Sequence, residues 1–165
     1  PFKKDELVYY FQARALGDQR PKYLNPSTEI APNPSEILYP YDEDSDQLVI
    51  CEGPLDAKSL QLQGVNATAT MKNHISPRQA EIISTFKGRV ILGFDNDDAG
   101  HFGCRRFDEL RRERLMDDFY VCSPPNGCKD WNEAHVKGES LHPWVIGESS
   151  LYNFEYKLMN EINLL

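Results

Sequence analysis

The chain has 165 residues, 40% hydrophobic and 27% charged, which is enough apolar material for one packed domain with flanking pieces. No stretch approaches the about 18 consecutive apolar residues of a membrane helix, so no membrane partner is expected. A net charge of −8 excludes a surface coated in basic residues for nucleic acid, while leaving room for a local basic patch beside an acidic metal site.

Residues 1–24 lean basic, with Lys3, Lys4, Arg14, Arg20 and Lys22. The run at 7–15, rich in aromatic and apolar residues and closed by Gly17-Asp18, predicts a strand and a turn. Pro21, Pro26, Pro32, Pro34 and Pro40, followed by Asp42-Glu43-Asp44, mark residues 21–47 as a loop or linker. From 48 onward strands and helices alternate. Residues 48–52 read as a fully buried strand and 56–63 as a helix ended by Gly64. A small-residue strand is expected at 65–70. Ser76-Pro77-Arg78-Gln79 then opens a helix with a capping box. A second apolar strand at 89–94, a helix at 99–115 and a last strand at 119–122 complete the unit. Short loops between such elements imply an α/β fold, a mostly parallel sheet flanked by helices. In the tail, 139–165, Leu151, Phe154, Leu158, Ile162 and Leu165 recur at helical spacing and predict an amphipathic helix.

Cys51, Cys104, Cys122 and Cys128 include no C-x-x-C pair and read as reduced thiols, which fits the cytoplasm. No apolar h-region of a signal peptide is visible, and the chain, lacking an initiator Met, reads as an excised or processed piece.

Both strongest strands run into acid. Leu48-Val49-Ile50-Cys51 leads to Glu52-Gly53-Pro54-Leu55-Asp56, and Val90-Ile91-Leu92-Gly93-Phe94 leads to Asp95-Asn96-Asp97-Asp98. Parallel strands gather such residues at their carboxyl ends, where open α/β sheets hold ligands. On an extended strand Asp95 and Asp97 would face one side, about 6.6 Å apart. Three ionised carboxylates within about 5 Å would repel by roughly 3 kcal/mol per pair at an effective dielectric near 20. Protonation, basic partners or divalent cations must offset this, and Mg²⁺ with phosphate chemistry is the reading the pattern favours. Taken alone, the second cluster is equally a polar turn with Asp98 as N-cap, and Asp56 gains from a helix start in the same way.

These residues resemble the toprim domain, the catalytic fold of DnaG-type primases, type IA and type II topoisomerases and some nucleases. Glu52-Gly53-Pro54-Leu55-Asp56 matches its glutamate motif and Asp95-Asn96-Asp97 its Asp-x-Asp motif. Topoisomerases continue to a glutamate where this chain has Ala99, followed by Gly100, the primase style. Lys129-Asp130-Trp131-Asn132-Glu133 resembles the primase segment after the last toprim strand. Phe11-Gln12-Ala13-Arg14-Ala15-Leu16-Gly17 and Pro21-Lys22-Tyr23-Leu24-Asn25 resemble the basic motifs upstream of it, and the style is particularly similar to bacteriophage primases. Ala69-Thr70-Met71-Lys72-Asn73 departs from the Leu-Gly-Thr of bacterial primases, and neither zinc-ribbon cysteines nor most of the amino-terminal catalytic subdomain is present.

The resemblance implies three parts: residues 1–45 as the strand-rich end of a primase amino-terminal subdomain, 46–138 as the Rossmann-like toprim domain, and 139–165 as a carboxyl-terminal tail. It implies Glu52, Asp95 and Asp97 as catalytic metal ligands, Asp56 and Asp130 as further metal-site acids, and Mg²⁺ as cofactor with Mn²⁺ as a substitute. Arg14, Lys22, Asn25 and Lys72 would hold nucleotide or template. The implied activity is synthesis of short RNA primers from ribonucleoside triphosphates on single-stranded DNA, with a replicative helicase as partner. The alternatives are a toprim nuclease and a non-catalytic replisome assembly module. Trp131 and His135 read as packing and surface, and the arginines at 105–114 as a solvated helix face.

Overall fold

The computed structural model describes residues 1–4 and 6–163. The amino-terminal aromatic run does not form one strand over 7–15, because it changes partners at Phe11-Gln12. β1 (Phe2–Lys4) pairs antiparallel with β2 (Leu7–Tyr10), while β3 (Ala13–Arg14) pairs with β4 (Tyr23–Leu24), setting Arg14 opposite Tyr23. The proline-rich linker makes one short 3₁₀ turn at Pro34–Glu36, closed by an Asn33 capping box.

The linker feeds β5 (Gln47–Cys51), which is followed by α1 (Pro54–Leu62), β6 (Ala67–Ala69), α2 (Pro77–Ser84), β7 (Arg89–Leu92), α3 (Asp98–Glu113) and β8 (Tyr120–Val121). Beyond it come α4 (Trp131–Val136), α5 (Leu141–Glu148), β9 (Ser150–Leu151) and α6 (Phe154–Asn163). The sheet order is β6-β5-β7-β8-β9, parallel except for the antiparallel edge strand β9. The α/β expectation therefore holds.

Alternation along β5 explains the two cores. Val49 and Cys51 point to one face, with Ala57 and Leu60 of α1, Trp131 and Ala134 of α4, and Leu141 and Val145 of α5. Leu48 and Ile50 point to the other, with Ala80 and Ile83 of α2, Phe107 and Leu110 of α3, and Tyr152. A strand covered on both faces has no polar side, so its residues are apolar throughout.

The tail is more than one helix. Residues 141–148 form α5, missed because its apolar residues cover the helix without clear periodicity, and β9 closes the sheet edge. The expected amphipathic helix is α6; Leu165 lies outside the described residues, as does the side chain of Ile162. Asp108 of α3 is buried, not solvated: Arg111, Arg112 and Lys157 of α6 reach its carboxylate at 3.2, 2.9 and 2.6 Å. Burial pushes this carboxyl up, but bonds from Lys157 and Arg111 outweigh it and hold it below its ordinary value. The rest of the helix bears out a salt-bridged surface, as in Arg106–Glu109 and Arg114–Glu81. All four cysteines are free, and no described helix is long and apolar enough to cross a membrane.

The capping box of α2 forms as expected and does more than start the helix. Ser76 Oγ accepts the Gln79 amide at 3.0 Å, and Gln79 Oε1 accepts the Ser76 amide at 3.0 Å. The fully buried Gln79 side chain also donates to the carbonyls of Pro34, Ile37 and Thr70 at 3.1, 2.8 and 3.0 Å, tying the linker to the sheet. Gln79→Leu would orphan these groups, each costing about 1–3 kcal/mol when buried unpaired. Urea unfolding should show a loss of at least about 2 kcal/mol, whereas a purely local cap contributes about 1 kcal/mol.

Candidate metal and nucleotide site

Strand order reverses at β5, with β6 on one side and β7 on the other, so a crevice opens at the carboxyl ends of β5 and β7. The parallel register sets Ile50 beside Leu92, and the Gly93 amide donates to Ile50 O at 2.9 Å. One step further, Glu52 leaves β5 and Asp95 follows β7, and the Asp95 amide reaches Glu52 Oε1 at 3.4 Å. After Glu52, Gly53 caps α1 and Pro54 opens it. A Cβ on Gly53 would come within 2.7 Å of Asp56 Oδ2, so glycine makes room for that carboxylate. Asp56 Oδ1 accepts the Asn132 amide at 3.0 Å.

The second acidic cluster is a turn, not extended strand. β7 ends at Leu92, and the Asp97 amide folds back to Asp95 O at 2.9 Å. Asp97, not Asp98, caps α3, its Oδ1 accepting the Gly100 amide at 2.9 Å. The same-face strand geometry expected for Asp95 and Asp97 is therefore replaced by a tight turn. Gly100 belongs to this turn too, because a Cβ there would overlap the Asp95 carbonyl. Asp130 caps α4 by accepting the Glu133 amide at 2.7 Å.

A cavity of about 280 Å³ brings most of the expected residues together. The carboxylates Glu52, Asp56, Asp95 and Asp130 line it together with the cations Arg14, Lys22 and Lys72. Arg14 and Lys22 flank the ring of Tyr23, at 5.7 and 5.8 Å from its centre. Lys72 is tethered by its bond to Ser35 Oγ at 2.6 Å. Two expected residues lie off the wall. Asp97 stands behind Asp95, and Asn25 accepts from Gln12 Nε2 at 3.1 Å while Gln12 itself faces the cavity. Lys129 lines the cavity beside Asp130, as the resemblance implied, whereas sequence reading gave Tyr23 no place in the site. It also took Trp131 as packing alone, although the indole N–H donates to Gly93 O at 2.8 Å. No local pattern announces that bond, since its partners are 38 residues apart.

The acidic wall is electrostatically unfinished. Burial, then the Asp95 charge, push the Glu52 carboxyl up to about 7, with Asp97 and Asp56 adding to it and the Asp95 amide opposing. Burial pushes Asp56 up to about 6 despite the Asn132 amide, with Asp130 contributing. Asp95 rises to about 6 through burial and the charges of Asp56, Asp130 and Asp97, opposed by Lys129. Among the described residues none of these carboxylates has an ion-pair partner, and no three His, Cys, Asp or Glu side chains converge closely enough to enclose a metal ion. An uncompensated, all-oxygen donor set fits a hard divalent cation that keeps several waters.

Comparison with known proteins identifies the family of the fold. The Toprim-like family model matches residues 49–135. The DNA primase of Clostridium acetobutylicum is 31% identical over 132 residues, covering 76% of this chain and 22% of that protein. The chain spans less than a third of the length of the curated primases it matches. A DNA primase domain from Pseudomonas aeruginosa is similar in structure, with a TM-score of 0.71 and 26% identity over 86% of this chain and 47% of that one. A DnaG primase catalytic domain bound to ssDNA shares the fold, with a TM-score of 0.71 at 23% identity over 87% of this chain and 48% of that one. The bacteriophage style is not supported: the T7 primase fragment shares the fold alone, with a TM-score of 0.56 at 17% identity over 84% of this chain and 66% of that one.

The raised Glu52 pKa fixes the sign of a stability test. The folded chain holds a proton that the unfolded chain, with a carboxyl near 4.5, has released, so stability falls as pH rises from about 4.5 to about 7. In chelator at pH 8, Glu52→Gln should melt above the parent chain, and the gap should close toward pH 4.5. A parent that melts higher at pH 8 would mean the site carries no such repulsion.

Proposed function

Since this chain belongs to the Toprim-like family and is a homologue of DNA primase catalytic domains, we propose that it provides the metal-binding half of a primase active site, building short RNA primers from ribonucleoside triphosphates on single-stranded DNA. The observation that carries the reading is one cavity lined by Glu52 and Asp95 together with Arg14 and Lys22. Glu52, Asp95 and Asp97 are assigned as ligands of Mg²⁺ or Mn²⁺, with Asp56 and Asp130 as further acids of the site. The bound ion supplies charge neutralisation for the attacking and leaving oxygens of a phosphoryl displacement. Residues 1–45, 46–138 and 139–165 are taken as the end of the amino-terminal subdomain, the toprim domain and the carboxyl-terminal tail.

The chain's own residues do the placing. Arg14 offers a planar fork and Lys22 a point charge for phosphate oxygens, and both line the cavity that holds the acids. Both cations lie over the exposed Tyr23 ring, which draws them together at the cavity. Lys72 closes the cavity from beyond β6, and Asn25 steadies Gln12 at its rim. No covalent intermediate on the protein is needed, because phosphoryl transfer rests on positioning and charge stabilisation. The solved DnaG domain that carries ssDNA supports the same ligand here. A cytoplasmic role beside a replicative helicase completes the proposal. A toprim nuclease would share the acidic wall, but the facing Arg14–Tyr23–Lys22 cluster suits a nucleotide substrate better than attack by water.

Incubation with Mg²⁺, labelled ribonucleotides and single-stranded DNA should yield labelled oligomers. Asp95→Ala should lower the rate by about 10²–10³-fold, the scale of losing one electrostatic contact to a transition state, without lowering the melting temperature. Arg14→Ala should raise the KM for nucleotide more than it lowers kcat. Strand scission without labelled product would give the site to the nuclease.

A further inference from the structure

Three consecutive residues at the start of α4 reach three different parts of the acidic wall. Asp130 lines the cavity and caps the helix. Trp131, fully buried, donates its indole N–H to Gly93 O at 2.8 Å, two residues before Asp95. Asn132 donates its backbone N–H to Asp56 Oδ1 at 3.0 Å, and its side-chain oxygen accepts from Ser59 Oγ of α1 at 3.3 Å.

The Gly93 carbonyl lies one step past the end of β7. Gly93 faces β5, where its own amide donates to Ile50 O, and β5 ends at Cys51. Trp131 thus supplies a donor where the sheet has stopped supplying one. The fit is close: a Cβ on Gly93 would sit 3.0 Å from Trp131 Nε1 and 2.7 Å from Val49 Cγ1. A buried tryptophan needs only some acceptor for its N–H. Here the acceptor belongs to the turn that carries Asp95, and the neighbouring amide holds Asp56 in the first turn of α1.

We infer that Trp131 and the Asn132 amide form a positioning clamp that sets the spacing of Asp95, Asp56 and Asp130 for a divalent ion. The inference rests on the metal reading of the site. Mg²⁺ requires near-octahedral oxygens at about 2.0–2.1 Å, so small shifts of the loops that carry its ligands weaken binding. Partners behind metal ligands typically matter by about 10–100-fold in affinity or activity.

The test is Trp131→Phe, which keeps a buried ring and deletes the N–H. Mn²⁺ binding to the full chain, followed by electron paramagnetic resonance, should weaken by about tenfold or more while the circular dichroism of the fold is retained. Ile83→Val, in the core on the opposite face of the sheet, should lower the melting temperature and leave Mn²⁺ affinity unchanged. Equal affinity in Trp131→Phe and parent, or equal weakening in Ile83→Val, would overturn the clamp. A parent chain that takes up no Mn²⁺ would overturn the metal reading beneath it. If Trp131→Phe does not fold, amide exchange on the unaltered chain decides: Mg²⁺ should protect residues 93–97 and 130–133 together, and protection of 93–97 alone would refute the clamp.

Discussion

Parallel pairing of β5 with β7 is the constraint from which the rest of the molecule follows. It sends two neighbouring strands out of the sheet at the same end, so Glu52 and Asp95 arrive side by side whatever the loops do. Burial first, and the like charges of the neighbouring acids second, raise the carboxyl pKa values of Glu52 and Asp95. The sheet can hold the arrangement because its strands are buried on both faces by two separate apolar cores. A site that disfavours itself in isolation is what a charged ligand of opposite sign would relieve.

Backbone amides, more than basic side chains, steady the acids. Asp95 N–H serves Glu52, Asn132 N–H serves Asp56, Gly100 N–H serves Asp97 and Glu133 N–H serves Asp130. Amides orient a carboxylate without neutralising its charge, whereas an arginine partner would occupy the oxygens a metal needs. Two of these bonds are helix caps, so the same contacts that start α3 and α4 also aim Asp97 and Asp130. The strongest side-chain ion cluster, around Asp108, lies instead between α3 and α6, where it fastens the tail helix to the body of the fold.

The amino-terminal strands extend the chemistry of the sheet. β3 and β4 contribute almost nothing to the buried core, yet their pairing sets Arg14 beside Tyr23, and both, with Lys22, line the cavity that holds the acids. Cations and carboxylates thus share one small cavity, and family membership rests on the segment that contains the acids, residues 49–135.

The alternation of strands and helices from 48 to 122 was legible because each pattern is local: apolar runs for buried strands, Ser76 and Gln79 for a capping box, and Gly64 for a helix end. The two acidic motifs were legible for the same reason, whereas Arg14 and Lys22 stood out only through the family resemblance. The capping role of Asp97, the break of the first strand at Phe11-Gln12 and helix α5 were not. Caps one residue apart are chemically equivalent in sequence, strand partners are chosen by distant segments, and an apolar helix with no polar face carries no period to read. By itself, then, the sequence determined which residues carry charge and which strands are buried. Only the tertiary structure decided that Glu52 meets Asp95, that Gln79 holds the linker and that Trp131 reaches Gly93. Those contacts join residues 43, 45 and 38 positions apart, and hydrogen bonds across such separations exist only once the sheet has closed the loops between them.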